Sequence, residues 1–250
     1  MKILRVIVGI IWKISFIMVF VSTMIVLYPL FYTLLLNKQT FPIAFKLKRY
    51  WAKLMLAIVG VFTRVYAKFD LRKINSPVIY CANHGSYLDI LSAYIVIPNY
   101  FVSMAKKELG SVPLFNVFFK NMNILVDRQS IRGSHRAFVS AAKQIDEGVS
   151  IFLFPEGGIL NNRGELCRFK NGAFKLAIEK QIPIVPITFL NNWKLFQNGV
   201  LTRTFARPGL SRVIVNKPID TKGLTLDDLV YLRQKVHGVI EGDLEEYNRK

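Results

Sequence analysis

His84 and Asp89 are the pair of residues in this 250-residue chain whose types and spacing best suit moving a proton near neutral pH. They belong to the run Asn83, His84, Gly85, Ser86, Tyr87, Leu88, Asp89, which follows an apolar stretch and opens a helical one. Strand ends of that kind are where α/β proteins place reactive groups. Imidazole has the pKa of a general base that takes a hydroxyl proton. A carboxylate five residues on turns back across the loop, holds the other ring nitrogen, fixes its tautomer and stabilises the imidazolium. Such a pair suits acyl transfer to an alcohol. On spacing alone a second reading stays open, with a structural histidine and an aspartate that caps the helix. No serine stands in a Gly-x-Ser-x-Gly setting, so direct attack by an acceptor hydroxyl is simpler than a covalent acyl-enzyme.

Two further clusters offer charge or backbone to an anion. Ile151, Phe152, Leu153, Phe154, Pro155, Glu156, Gly157, Gly158 form an apolar strand that stops at proline and delivers a glutamate followed by two glycines. Glycine there lets backbone N–H groups approach an oxyanion or phosphate closely, although an ordinary strand-to-loop turn has the same composition. Val126, Asp127, Arg128 end another short apolar run with a guanidinium able to grip phosphate with two N–H groups. Alone, Arg128 reads better as a surface arginine.

The elements that must position these groups follow from hydrophobic periodicity. Short apolar runs at 78–82, 101–104, 124–126, 149–154, 184–189 and 213–216 are candidate strands. Helical stretches lie between and after them at 87–96, 134–147, 173–180 and 226–247. Alternating strands and helices predict an α/β sandwich around a mainly parallel sheet. Ahead of it, residues 14–36 carry no charge over 23 residues, enough as a helix of about 35 Å to cross a hydrocarbon core of about 30 Å. No small-x-small cleavage site precedes Asn37, which favours an uncleaved anchor over a signal peptide. Residues 41–69 mix Lys46, Lys48, Arg49, Lys53 and Arg64 with Trp51, Leu54, Val59 and Phe62 and read as one amphipathic, interfacial helix or as a core helix. Basic residues flank the apolar segment on both sides, so charge gives no orientation for a single span. A hairpin dipping into one leaflet keeps both ends cytoplasmic, with Pro29 marking a bend. The expected organisation is an anchor over 1–69 and a catalytic domain over 70–250.

The chain holds 34 Lys and Arg against 16 Asp and Glu, a formal charge of +18, and so expects an anionic neighbour. Twelve of the cations and one anion fall within residues 1–75, which are also the most apolar. That combination favours an anionic membrane over nucleic acid. Cys81 and Cys167, with histidines at 84, 135 and 237, make no disulfide framework and no paired metal-ligand spacing.

Six motifs in order resemble the glycerolipid acyltransferase family, whose bacterial members acylate 1-acylglycerol 3-phosphate. They run from NHGSYLD (83–89) through KKEL (106–109), VDR (126–128), FPEG (154–157) and FKNGAF (169–174) to IPIVPI (182–187). The resemblance covers residues 76–216. It implies that His84 is a general base backed by Asp89. It also implies a substrate-binding set of Asn83, Ser86, Lys106, Arg128, Glu156, Gly157 and Lys170, with Arg128 and the Glu156–Gly157 loop positioning the acceptor headgroup. The implied donor is an acyl carrier protein or coenzyme A thioester, with no metal and no bound cofactor, at the cytoplasmic face of a bacterial inner membrane. Two departures bear on the acceptor. Gly158, Ile159 and Leu160 stand where the family has Thr-Arg-Ser, and Asn116 where it has glycine. One phosphate-side arginine is therefore missing, and Arg163, Arg168 and Lys170 are the candidates to replace it. If they do not, the acceptor is another lyso-lipid of lower negative charge, such as a lyso-aminolipid.

Overall fold

The computed structural model describes residues 2–120, 122–160, 164–200 and 204–249. Seven strands form one sheet in the order β1-β7-β6-β2-β5-β3-β4. They are β1 Val61–Ala67, β2 Ile79–Ala82, β3 Phe101–Lys106, β4 Ile124–Val126, β5 Ser150–Leu153, β6 Ile184–Phe189 and β7 Gly209–Val215. The strands β6, β2, β5, β3 and β4 are mutually parallel. β7 pairs antiparallel with β6, and β1 runs parallel to β7. The sheet is thus mainly parallel, with one reversed edge.

Central strands with apolar residues on both faces need a layer on each side. One layer holds α1 Lys2–Leu34, α2 Phe41–Ile58, α3 Leu88–Val96 and α4 Val117–Lys120, packed with Tyr80, Phe101, Phe152, Val185 and Ile187. The other holds α5 Ile131–Asp146, α6 Gly172–Lys180 and α8 Leu229–Arg249, packed with Ile79, Cys81, Val102, Ile151 and Ile184. Neighbouring residues such as Ile79 and Tyr80 point to opposite layers, as strand pleating requires. A short helix, α7 Asn192–Leu195, follows β6.

The N-terminal region differs from the sequence expectation in three ways. Residues 41–69 are not one helix: α2 ends at Ile58, Gly60 takes φ +74°, and β1 enters the sheet beside β7. The β-branched and aromatic run Val61–Ala67 finds a partner strand from 148 residues later in its Val61↔Gly209 register, which no local periodicity reveals. A division at residue 69 therefore cuts a strand away from its own sheet. Helix α1 also passes through Pro29 without ending. The reversal lies beyond Leu34, where the Asn37 side chain accepts from Gln39 N at 3.0 Å.

The two N-terminal helices form an antiparallel hairpin laid along the domain. Trp12 donates to the Val59 carbonyl at 2.9 Å, and Trp51 donates to the Thr23 hydroxyl at 2.9 Å. Phe31 meets Trp51 and Phe118 edge-on. The inner face of α2, with Phe45, Trp51, Ala52 and Met55, is buried, and Arg49 donates to the Tyr94 carbonyl on α3 at 3.0 Å. Val6–Leu34 has the length and apolar composition to cross a membrane, yet Phe16, Met24, Phe31 and Leu35 are buried against the domain. Its other side exposes Ile7, Ile11, Ile14, Met18, Ile25 and Val26.

Candidate active site

The sheet positions the motif residues by their places at the C-terminal ends of adjacent parallel strands. His84 follows β2, Lys106 ends β3, Arg128 follows β4 and Glu156 follows β5. Asp89 is the second residue of α3 and fully buried. Its Oδ2 lies 3.1 Å from His84 Nδ1 and accepts from the backbone N–H groups of Gly85 and Ser86, both at 2.8 Å. The two readings open on sequence alone thus coincide in one side chain: Asp89 closes the turn into α3 and orients the histidine.

A carboxylate at Nδ1 keeps the proton there and leaves Nε2 as the free base nitrogen. The imidazole stacks on Phe154, ring centres 3.7 Å apart and 9° from parallel, which fixes its plane. The imidazole and its carboxylate are held on one side by α7. Asn192 donates to Asp89 Oδ1 at 2.8 Å, and Trp193 packs under the loop so that a Cβ on Gly85 would lie 3.3 Å from its own Cβ. Gly164, at φ +72°, accepts the far side of the same indole, where a Cβ would sit 2.0 Å from Nε1. Asn192 and Trp193 escape sequence reading because their role depends on the turn after β6 folding back onto α3.

Three residues expected at the substrate instead hold backbone. Asn83 closes a two-bond clamp on Phe189, donating to its carbonyl at 3.0 Å and accepting its N–H at 2.7 Å. Ser86 donates to the Phe196 carbonyl at 2.8 Å and accepts Leu88 N–H at 3.2 Å. Glu156 is buried, and its two oxygens accept His84 N–H at 2.7 Å and Cys167 N–H at 3.1 Å. Burial pushes its carboxyl up to about 7. With every polar end engaged by main chain, these side chains tie β2 to β6, the motif to the 196 loop, and the β2 loop to the β5 loop.

Cations gather at Gly157, next in sequence to Glu156. Arg128 donates to the Gly157 carbonyl. On the other side of that residue, a Cβ would meet Lys170 Nζ at 2.8 Å, and φ is +85°. Gly157 is therefore the point at which two cations approach the loop that Glu156 joins to His84. Lys106 stands on the same rim, exposed and paired with Glu108 at 3.2 Å. Arg168 is exposed, and Arg163 lies outside the described residues.

Residues 62–190 match a family model described as Acyltransferase. A Caenorhabditis elegans relative, acl-2, is 34% identical over 197 residues, which are 76% of this chain and 66% of that protein. The chain thus spans about two thirds of that relative's length. A Haemophilus influenzae protein named 1-acyl-sn-glycerol-3-phosphate acyltransferase is 30% identical over 210 residues, 76% of this chain and 81% of its own. The crystal structure of the 1-acyl-sn-glycerophosphate acyltransferase PlsC from Thermotoga maritima superposes over 98% of both chains with a TM-score of 0.81 at 21% identity, which bears out the α/β architecture.

Proposed function

Because this chain belongs to the acyltransferase family, with both His84 and Asp89 inside the matched stretch, we propose that it moves a fatty acyl group from a thioester to the free hydroxyl of 1-acyl-sn-glycerol 3-phosphate, giving phosphatidic acid. His84 Nε2 takes the hydroxyl proton as the oxygen attacks the thioester carbonyl, and Asp89 stabilises the imidazolium that forms. The tetrahedral intermediate then collapses, the C–S bond breaks, and His84 returns the proton to the departing thiolate. The chemistry uses no bound cofactor. The donor is a thioester of acyl carrier protein or coenzyme A, both acidic and both suited to a chain of charge +18.

One observation carries the choice of acceptor. Arg128 and Lys170 flank Gly157, and the neighbouring Glu156 is hydrogen-bonded to the His84 backbone. A dianionic phosphate is expensive to desolvate and needs several charge-assisted donors; Arg128 supplies one, and Lys170 stands in for the arginine that Gly158, Ile159 and Leu160 lack. Membrane association follows from the exposed apolar side of α1, and the reading places the enzyme at the cytoplasmic face of a bacterial inner membrane. The test is a competition assay with lysophosphatidic acid and a zwitterionic or amino-acid-linked lyso-lipid at equal surface concentration. Lysophosphatidic acid is expected to win, and Arg128→Gln or Lys170→Gln to narrow its advantage. A strong preference for the other acceptor leaves the reaction type standing and overturns the named substrate.

A further inference from the structure

The sheet has a second cationic concavity, along its β4 edge. It is a groove of about 310 Å³ lined by the apolar Met122, Ile124 and Leu125 and by the cations Lys38, Arg136 and Lys143. Strand β4, the edge of the sheet, supplies Ile124 and Leu125. Lys38 comes from the turn between α1 and α2, and Arg136 and Lys143 come from α5, so the groove joins the membrane-side layer to the opposite one around the sheet edge. Its charge is unbalanced. Lys38 and Lys143 share the single carboxylate of Glu147 at 3.9 and 4.0 Å, while Arg136 has no carboxylate partner among the described residues. Three cations against one anion leave an excess of positive charge beside the apolar side chains.

We propose that this groove binds one anionic phospholipid of the surrounding membrane, its phosphate on Arg136, Lys38 and Lys143 and the first part of an acyl chain against Met122, Ile124 and Leu125. The pairing of cations with apolar side chains fits an amphiphile better than free phosphate, which has no use for the latter. Lys38 follows two residues after the exposed Leu36 of the apolar hairpin, which puts the groove mouth at headgroup level. The volume lies at the small end of ligand sites, enough for a headgroup and a few methylenes and too small for a whole lipid. The site is separate from the acceptor site, because its lining includes none of Lys106, Arg128, Glu156, Gly157 and Lys170.

The inference rests on the membrane association proposed above, and its test separates the two. Flotation of the full chain is measured with phosphatidylcholine vesicles and with vesicles in which a fifth of the lipid is phosphatidylglycerol. Failure of the parent protein to bind either kind overturns membrane association itself. The parent is expected to prefer anionic vesicles. Arg136→Gln is expected to weaken that preference by about fivefold, as loss of one interfacial charge does. Ser140→Trp fills the groove from its exposed rim without changing charge, and is expected to remove a similar share. If Arg136→Gln weakens binding and Ser140→Trp does not, the effect is general surface electrostatics and the site is overturned. Unchanged binding in both variants overturns it too. If Ser140→Trp instead raises KM for an acyl-coenzyme A donor with vesicle binding intact, the groove holds the donor's phosphates and the lipid assignment falls.

Discussion

Asp89 serves four donors with two oxygens: His84, Gly85 and Ser86 on one, Asn192 on the other. In the proposed mechanism His84→Ala removes the base, and turnover is expected to fall by about 10²-fold to 10⁴-fold with the circular dichroism spectrum retained. In the same mechanism Asn192 would act through Asp89, to which it donates. A hydrogen bond to a buried charged group is worth about 1.5–3 kcal/mol, so Asn192→Ala is expected to lower kcat by roughly 10-fold to 100-fold and to shift the acid limb of the pH–rate profile, with acceptor KM little changed. A purely structural asparagine would instead lower the melting temperature and leave kcat per folded enzyme as it was. Glu156 gives a pH signature of its own. Its folded carboxyl titrates near 7, above the ordinary 4.5. The native state therefore binds more protons than the unfolded state between those values, and the stability present below about 4.5 is lost as pH rises through about 7. Melting temperatures across that window should fall with pH in the parent more steeply than in Glu156→Gln, and parallel slopes would contradict the assignment. The contact between His84 and Asp89 was legible in the sequence because it lies within six consecutive residues after a strand. Asn192 was not, since its partner lies 103 residues away.

At the scale of elements, Asp243 of α8 shows how the sheet is closed on its outer side. The carboxylate is buried and accepts from Thr188 of β6 at 2.7 Å, from Asn216 just after β7 at 2.7 Å and from Lys68 just after β1 at 2.6 Å. One side chain thus gathers three neighbouring strands onto one helix. Removing it leaves two polar groups and an ammonium without their acceptor, a loss of about 3 kcal/mol or more. For a chain of this size Asp243→Ala should lower the unfolding midpoint by roughly 6–12 °C, and a shift within a degree or two would show that solvent replaces the carboxylate. Six of the seven strands announced themselves as short apolar runs; β2, β5 and β6, parallel and buried on both faces, do so along their whole length. The seventh, β1, sits at the edge with a mostly exposed pattern and continues the composition of the helix before it. Its identity is decided by pairing with β7, not by its own residues.

The whole molecule raises a question that composition left open, whether α1 crosses the membrane or lies along it. As a 33-residue helix it is about 50 Å long, well beyond a hydrocarbon core of about 30 Å. Its inner side is engaged from Gly9 onward: a Cβ on Gly9 would lie 3.2 Å from the Ala206 backbone, Lys13 bonds to Thr204, Phe16 packs on Phe196, and Leu35 is buried. To cross the bilayer, α1 would have to leave this seam, give up the Lys13 bond to Thr204 and uncover Trp51, Phe118 and Phe196. Each stripped aromatic side chain costs about 2 kcal/mol. Lying flat keeps these contacts, and it presents the outward stripe of Ile7, Ile11, Ile14, Met18, Ile25 and Val26 to one leaflet. The expected outcome is therefore an in-plane hairpin whose two ends share one face of the membrane. Single-cysteine variants Lys2→Cys and Lys38→Cys, in a background with Cys81 and Cys167 replaced by serine, should react with a membrane-impermeant maleimide from the same side of sealed vesicles as the catalytic domain. Reaction of the two positions from opposite sides would establish a span and detach the inner seam of α1 from the domain. Phe196, whose carbonyl receives the Ser86 hydroxyl of the catalytic loop, would then lose its packing on Trp12 and Phe16.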